Sequence, residues 1–157
     1  LNKLKAEEQE KARQAELKRL QQKRNFSGNL PRIARNVGGV NILGVYRNLP
    51  SYCAVPGQCT QWAKYKIPAL RGLIMGNGGQ YLVNGRKYGF KTGSSAVAGS
   101  AAVTNENGRV GHVAYVEQVY SNGTMLISEM NYVRSFVAST RVISVNDPVI
   151  KGFLYTN

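Results

Sequence analysis

The sequence has one histidine, two cysteines, one tryptophan and eight acidic residues against 21 Lys and Arg in 157 positions. Each scarcity removes a class of explanation. Two cysteines are too few for a disulfide framework, and they leave the redox compartment open. One histidine means that any imidazole acting as a general base is His112. No run of about 18 apolar residues occurs, so no membrane-spanning helix is expected. The chain starts at Leu1 without a basic-then-apolar leader pattern and reads as a piece of something longer, so its terminus says nothing of export. No internal repeat is present.

What is abundant is positive charge. The formal net charge is +13, of which residues 1–35 carry +6 and residues 36–157 carry +7. Such an excess favours a polyanionic partner: nucleic acid, acidic lipid or an anionic cell wall. A nucleic-acid reader would concentrate Lys and Arg on one element or carry a finger, homeodomain or RNP signature. The charge here is spread along the chain and no such signature is found, so a nucleic-acid partner is not expected.

Residues 3–24, "KLKAEEQEKARQAELKRLQQKR", are strong helix formers without Gly, Pro or a β-branched residue, and predict a helix. Its apolar positions do not sustain an a/d heptad, which argues against a self-sufficient coiled coil. The expectation is a solvated helical linker or stalk end over 1–25, able to contact another part of a longer chain or an oligomer partner. Gly, Asn and Pro at short intervals then mark a linker over 26–45, and one globular domain is expected over 46–157. Within it, "CTQWAKYKI" from Cys59 predicts a short helix stopped before Pro68. "GNGGQYLVNGRKYG" reads as turn-rich. Strands are expected at 100–103, in "STRVISV" and in "IKGFLYT". "GHVAYVEQVYSNGTMLISEMNY" predicts a β-hairpin turning at Ser121-Asn122-Gly123. Helix first and antiparallel strands after it point to an α+β fold.

The hairpin bears on chemistry. A two-residue turn, in either of its two placements, puts His112, Glu129 and Asn131 on one face, and a three-residue loop would break that parity. A base, an acid and an amide on one face are what a cysteine nucleophile needs: a proton acceptor and a group to hold the imidazole in one orientation. Cys59 follows Pro56-Gly57 at the first turn of a predicted helix, where orphan N–H groups and the helix dipole favour thiolate. The same amides can hold an oxyanion, and Gln58 is a candidate second donor. Each residue alone has a plainer reading, Cys59 as core filler and the others as surface decoration. Their joint placement favours the nucleophile. Cys53 reads as filler, because a Cys53–Cys59 disulfide would block the thiol. A Cys53, Cys59 and His112 zinc site would have an unusual spacing and no evident fourth ligand.

"GQCTQWA", "GNGGQY", "GHVAYVEQV", "ISEMNY" and "IKGFLY" resemble, in order and spacing, the CHAP domain, the cysteine, histidine-dependent amidohydrolase/peptidase of bacterial and phage cell-wall hydrolases. The resemblance covers about residues 46–157. It implies a papain-like fold of the NlpC/P60 type, with a nucleophile-bearing helix packed on an antiparallel sheet. It also implies Cys59 as nucleophile, His112 as general base, Glu129 as the acid that orients it and Asn131 as the polar residue beside it. The implied substrate is peptidoglycan, cut at the muramoyl-L-alanine amide or within stem peptide or cross-bridge, by an enzyme that is secreted or phage-borne and works at the cell wall. Bacteriolytic wall hydrolases, phage lysins and conjugation-linked wall-opening enzymes all fit. The competing expectation is a non-catalytic wall-binding module that keeps the fold. No cofactor is expected. "PSYCAVPGQCTQ" lacks the acids with which some members bind calcium, so no metal is expected there. Met75 stands where many members carry tryptophan, which bears on groove shape. The basic surface would suit anionic teichoic acids.

Overall fold

From Ala101 onward, β-branched and aromatic residues alternate with polar ones, and this half of the chain forms the body of a sheet. A computed structural model describes residues 2–25 and 34–157, with side chains described over 3–15 and 34–157. Its helices are α1 (Asn2–Asn25), α2 (Cys59–Lys66) and α3 (Tyr81–Lys87). Its strands are β1 (Asn41–Val45), β2 (Lys91–Gly93), β3 (Ala101–Thr104), β4 (His112–Val119), β5 (Thr124–Met130), β6 (Val137–Ser144) and β7 (Ile150–Tyr155). They form one seven-stranded sheet in the order β1-β6-β5-β4-β3-β7-β2. Every pairing is antiparallel. The fold is α+β and papain-like, with the α2 helix lying on the sheet.

Strand alternation divides the core into two layers. Ala63 and Ile67 of α2 pack with Ala101, Val103, Val113 and Leu154 on one face. Ala102, Ala114, Val116, Ile127 and Phe153 pack on the other, with Ala34 and Val149 over them. β3 is buried along its whole length, as a central strand must be.

The hairpin takes the three-residue loop that the sequence left open beside the two two-residue turns. Val119 pairs with Met125 and Gln118 with Leu126, so the β4–β5 connection is a three-residue loop. Gly123 takes φ +84° there, the left-handed residue that such loops require. Left alone, this loop would send His112 and Glu129 to opposite faces. A β-bulge between Val116 and Gln118 absorbs the extra residue, and beyond it Val116 pairs with Ile127 and Tyr115 with Ser128. Glu117, the bulged residue, accepts a hydrogen bond from Ser128 Oγ at 2.8 Å and an ion pair from Lys66 of α2 at 2.9 Å. The register that the loop alone would upset is thus restored by a bulge whose residue is held by a helix and a neighbouring strand.

The sheet begins at Asn41, ahead of the domain start expected at residue 46, because β1 pairs with β6 at its edge. Residues 26–33 of the expected linker lie outside the described residues. Ala12 of α1 is fully buried against Tyr132, Val133 and Val137, while most of the other described side chains of the helix are exposed. Glu8 of α1 reaches Arg47 at 3.6 Å and Arg134 at 3.8 Å. The "GNGGQYLVNGRKYG" segment, expected to be turn-rich, forms a short 3-10 turn and then α3.

Candidate active site

Cys59 opens α2, with Gln58 as its N-cap in extended conformation. The preceding loop cannot extend the helix: Gly57 has φ +83°, and a Cβ there would meet the Phe136 ring at 2.9 Å. Phe136 N–H also donates to the Gly57 carbonyl at 3.0 Å. Gln61, buried one turn into α2, accepts from Gly57 N–H at 2.7 Å and donates to the carbonyls of Leu49 and Pro50. Lys64, also buried, donates to the carbonyls of Cys53 and Leu73 at 3.0 and 2.6 Å. The helix therefore fixes its own approach loop from within.

His112 opens β4 on the face it shares with Ala114 and Val116, opposite the α2 layer. Its Nε2 lies 2.7 Å from Glu129 Oε1. A carboxylate only accepts, so this bond places the ring proton on Nε2 and leaves Nδ1 for Cys59, with which His112 is also hydrogen-bonded. Gly78 makes this approach possible: a Cβ on it would stand 2.8 Å from the His112 carbonyl carbon and the Val113 nitrogen. That close contact is the physical meaning of the "GNGGQY" motif.

The electrostatics follow from the packing. Burial pushes the Cys59 thiol up, but the His112 charge, its hydrogen bond and the Val113 amide outweigh burial and bring the thiol below its ordinary value. Burial pulls the His112 imidazole down, yet Cys59 and Glu129 reverse this and push it up to about 10. Together the two groups favour a thiolate–imidazolium pair. Glu129 is fully buried. Burial would raise its pKa, and the Arg141 charge followed by the His112 hydrogen bond lowers it.

The five residues expected to cooperate are brought to one site: Gln58, Cys59, His112 and Asn131 line a cleft, with Glu129 behind the imidazole. Asn131 adopts φ +62°, a left-handed conformation that Asn tolerates better than most residues. Its Nδ2 donates to Gln58 Oε1 at 2.6 Å, linking the end of β5 to the residue before Cys59. A second cleft on the far side of Cys59 is lined by Cys53, Val55, Ile74 and Asn77. Cys59 thus sits between two arms of a groove. Both cysteines are free thiols. Sequence reasoning missed Arg141 and Glu106, which pack behind Glu129. The available signal was that "STRVISV" places a lone cation inside an otherwise neutral strand.

The CHAP domain model matches residues 50–131. The chain belongs to the CHAP domain family. Among curated relatives, the staphylococcal secretory antigen SsaA of Staphylococcus epidermidis is 32% identical over 100 residues, covering 63% of this chain and 38% of that protein. The secretory antigen ssaA2 of Staphylococcus aureus is 33% identical over 100 residues, covering 63% of this chain and 37% of its own length. This CHAP chain therefore spans less than two fifths of the length of these relatives. Its fold is shared with a crystal structure of an N-acetylmuramoyl-L-alanine amidase from Staphylococcus aureus, at TM-score 0.56 and 23% identity, over 64% of this chain and 30% of that one.

Proposed function

We propose that this CHAP chain is a peptidoglycan hydrolase that cuts an amide bond with Cys59 as nucleophile, His112 as general base and acid, and Glu129 as the group orienting the imidazole. The observation that carries this reading is the hydrogen-bonded series Cys59–His112–Glu129 at the start of α2, with the imidazole held by Glu129 at 2.7 Å. The Cys59 thiolate attacks the scissile carbonyl carbon, a C–S bond forms, and the carbonyl π electrons move to oxygen. The backbone N–H of Cys59 and the Gln58 side chain stabilise that oxyanion. As the C–N bond breaks, the imidazolium gives its Nδ1 proton to the leaving amine. Water then adds to the thioester while His112 takes its proton, and the C–S bond breaks to return the thiolate.

The groove extends on both sides of Cys59, which suits a chain running past the scissile bond. Either the muramoyl-L-alanine amide or a peptide bond of stem or cross-bridge fits such a groove. The similarity to proteins named secretory antigens supports action outside the cell. The net charge of +13 supports attraction to an anionic wall and its teichoic acids.

The deciding experiment is digestion of purified peptidoglycans of several wall chemotypes by the wild type and Cys59→Ala, with mass spectrometry of the products. Cys59-dependent release of intact stem peptides assigns an amidase, and cleavage within peptides or bridges an endopeptidase. No Cys59-dependent product from any wall would overturn the proposal.

A further inference from the structure

Four acidic residues follow position 35, and two of them, Glu106 and Glu129, meet on one buried arginine. Arg141 of β6 is fully buried, with Glu129 fully buried and Glu106 nearly so. Arg141 Nε donates to Glu129 Oε2 at 2.8 Å and Nη2 to Glu129 Oε1 at 3.0 Å. The other edge of the guanidinium faces Glu106, with Nη1 to Oε2 at 2.8 Å and Nη2 to Oε1 at 2.6 Å. The guanidinium plane lies over the Tyr132 ring, 3.9 Å from its centroid. Glu106 is itself held by Ala34 N–H at 3.0 Å and Thr104 Oγ1 at 3.0 Å.

We infer that Arg141, braced by Glu106, is a positioning residue of the proposed reaction: it fixes the Glu129 carboxylate that holds His112 and sets the charge the imidazole experiences. The inference rests on the Cys59–His112–Glu129 reading and extends it by two residues.

Geometry carries the first half. Oε1 of Glu129 is shared between His112 Nε2 and Arg141 Nη2, so the guanidinium fork dictates where that oxygen stands. A carboxylate at the end of three rotatable bonds needs such a clamp if the imidazole is to keep one orientation. Lysine cannot replace it, because a single ammonium has no planar fork.

Charge carries the second half. Glu129, Arg141 and Glu106 together bear a net charge of −1, whereas Glu129 and Arg141 alone would bear none. Glu106 therefore restores to the site the negative charge that Arg141 cancels, and this favours the imidazolium. The charged or titratable groups facing His112 are Cys59 from α2, Glu129 from β5, Arg141 from β6 and Glu106 from the segment after β3. Tyr81 of α3 faces Cys59. Burial would raise the Glu106 carboxyl, and the Arg141 hydrogen bonds and charge bring it down to about 2, so it is ionised across the working range.

The test uses two variants, Glu106→Gln and Arg141→Lys, each checked for folding by circular dichroism, and two readouts. The first is the rate of Cys59 alkylation by iodoacetamide against pH, read at the Cys59 peptide by mass spectrometry so that Cys53 does not interfere. The second is kcat and KM on peptidoglycan fragments against pH. Glu106→Gln removes one negative charge, so both limbs of the kcat/KM profile, and the rise of alkylation, move to lower pH. Arg141→Lys keeps the charge and loses the fork, so the limbs stay while kcat falls about 10- to 100-fold at nearly unchanged KM. A purely structural role would lower the amount of folded protein without moving the limbs.

Limbs that stay in place in folded Glu106→Gln, or wild-type kcat in folded Arg141→Lys, overturn the inference and leave the proposed function standing. Wild-type Cys59 alkylated with the profile of an ordinary thiol instead removes the thiolate reading beneath it. Should Glu106→Gln not fold, Arg141→Lys decides through the kcat and KM split.

Discussion

Asn131 and Gln58 are joined through their side-chain amides, with Asn131 Nδ2 donating to Gln58 Oε1 at 2.6 Å. The bond ties the strand pair that carries His112 and Glu129 to the residue immediately before Cys59. It also orients the Gln58 amide, since an oxygen committed to Asn131 leaves the nitrogen as the donor available to a substrate oxyanion.

Gln58→Ala is expected to lower kcat about 100-fold, the cost of one oxyanion donor, with a smaller change in KM. Asn131→Ala should lower kcat through the same amide. The double variant should then be little worse than Gln58→Ala alone, and steady-state kinetics on the four forms measures this coupling. Additive losses would separate the two residues.

Activity should follow a bell in pH. It rises as pH climbs past the lowered pKa of Cys59 and falls as the His112 imidazolium loses its proton near pH 10. His112→Ala should abolish turnover while leaving the circular dichroism spectrum unchanged. A profile with no alkaline limb below pH 11 would contradict the ion pair.

Glu106 also links pH to stability. Its pKa is about 2 in the fold against an ordinary 4.5, so its contribution is fully present above pH 4.5 and is lost as pH falls through 2. Thermal melts from pH 5 to pH 2 should show a falling Tm for the wild type. The fall should be shallower in Glu106→Gln, and parallel curves would refute the assignment.

Gly78→Ala should be damaging where Gly39→Ala is not. The first puts a Cβ 2.8 Å from the backbone of His112 and Val113, and the second meets nothing within 4 Å. Overpacking at Gly78 should cost about 1–3 kcal/mol in urea unfolding. The accompanying shift of His112 should lower kcat about 100-fold. Equal stability of the two variants would show that the strand end can yield.

Ala12→Glu should undock α1, because Ala12 is buried against the 131–137 segment. Amide exchange at residues 132–137 should then accelerate, and stability should fall by about 1–3 kcal/mol. Unchanged exchange there would mean that the segment holds its shape without the helix.

Much of this molecule was legible in the order of its residues. The α2 helix, the β3 strand and the run of strands from β4 to β7 stand out because their residues have the right propensities and their turns carry Gly, Asn and Pro. α3 was hidden, since Asn84 and Gly85 weaken the helical signal of "YLVNGRK" and packing against Leu154 overrides it. β1 and β2 were hidden too: one is an irregular edge strand with a register shift, and the other spans three residues. The hairpin loop is the most instructive case. Its Ser-Asn-Gly sequence fits a two-residue or a three-residue turn, and the bulge that corrects the register is held by Lys66, far away in the chain.

By itself, the sequence determined the chemical types and their local settings: a sole histidine at a strand start, and a cysteine after Pro-Gly at the start of a helix. Those are short-range facts, readable from spacing and propensity. Only the tertiary structure decided which groups meet. It set His112 and Glu129 on one face through the bulge at Glu117, joined Asn131 to Gln58, and brought Arg141 and Glu106 behind the carboxylate. The physical reason is that strand register carries a period of two, so one residue of slip reverses every face. A buried carboxylate, in turn, needs whichever cation the neighbouring strand supplies, and that neighbour is chosen by long-range pairing.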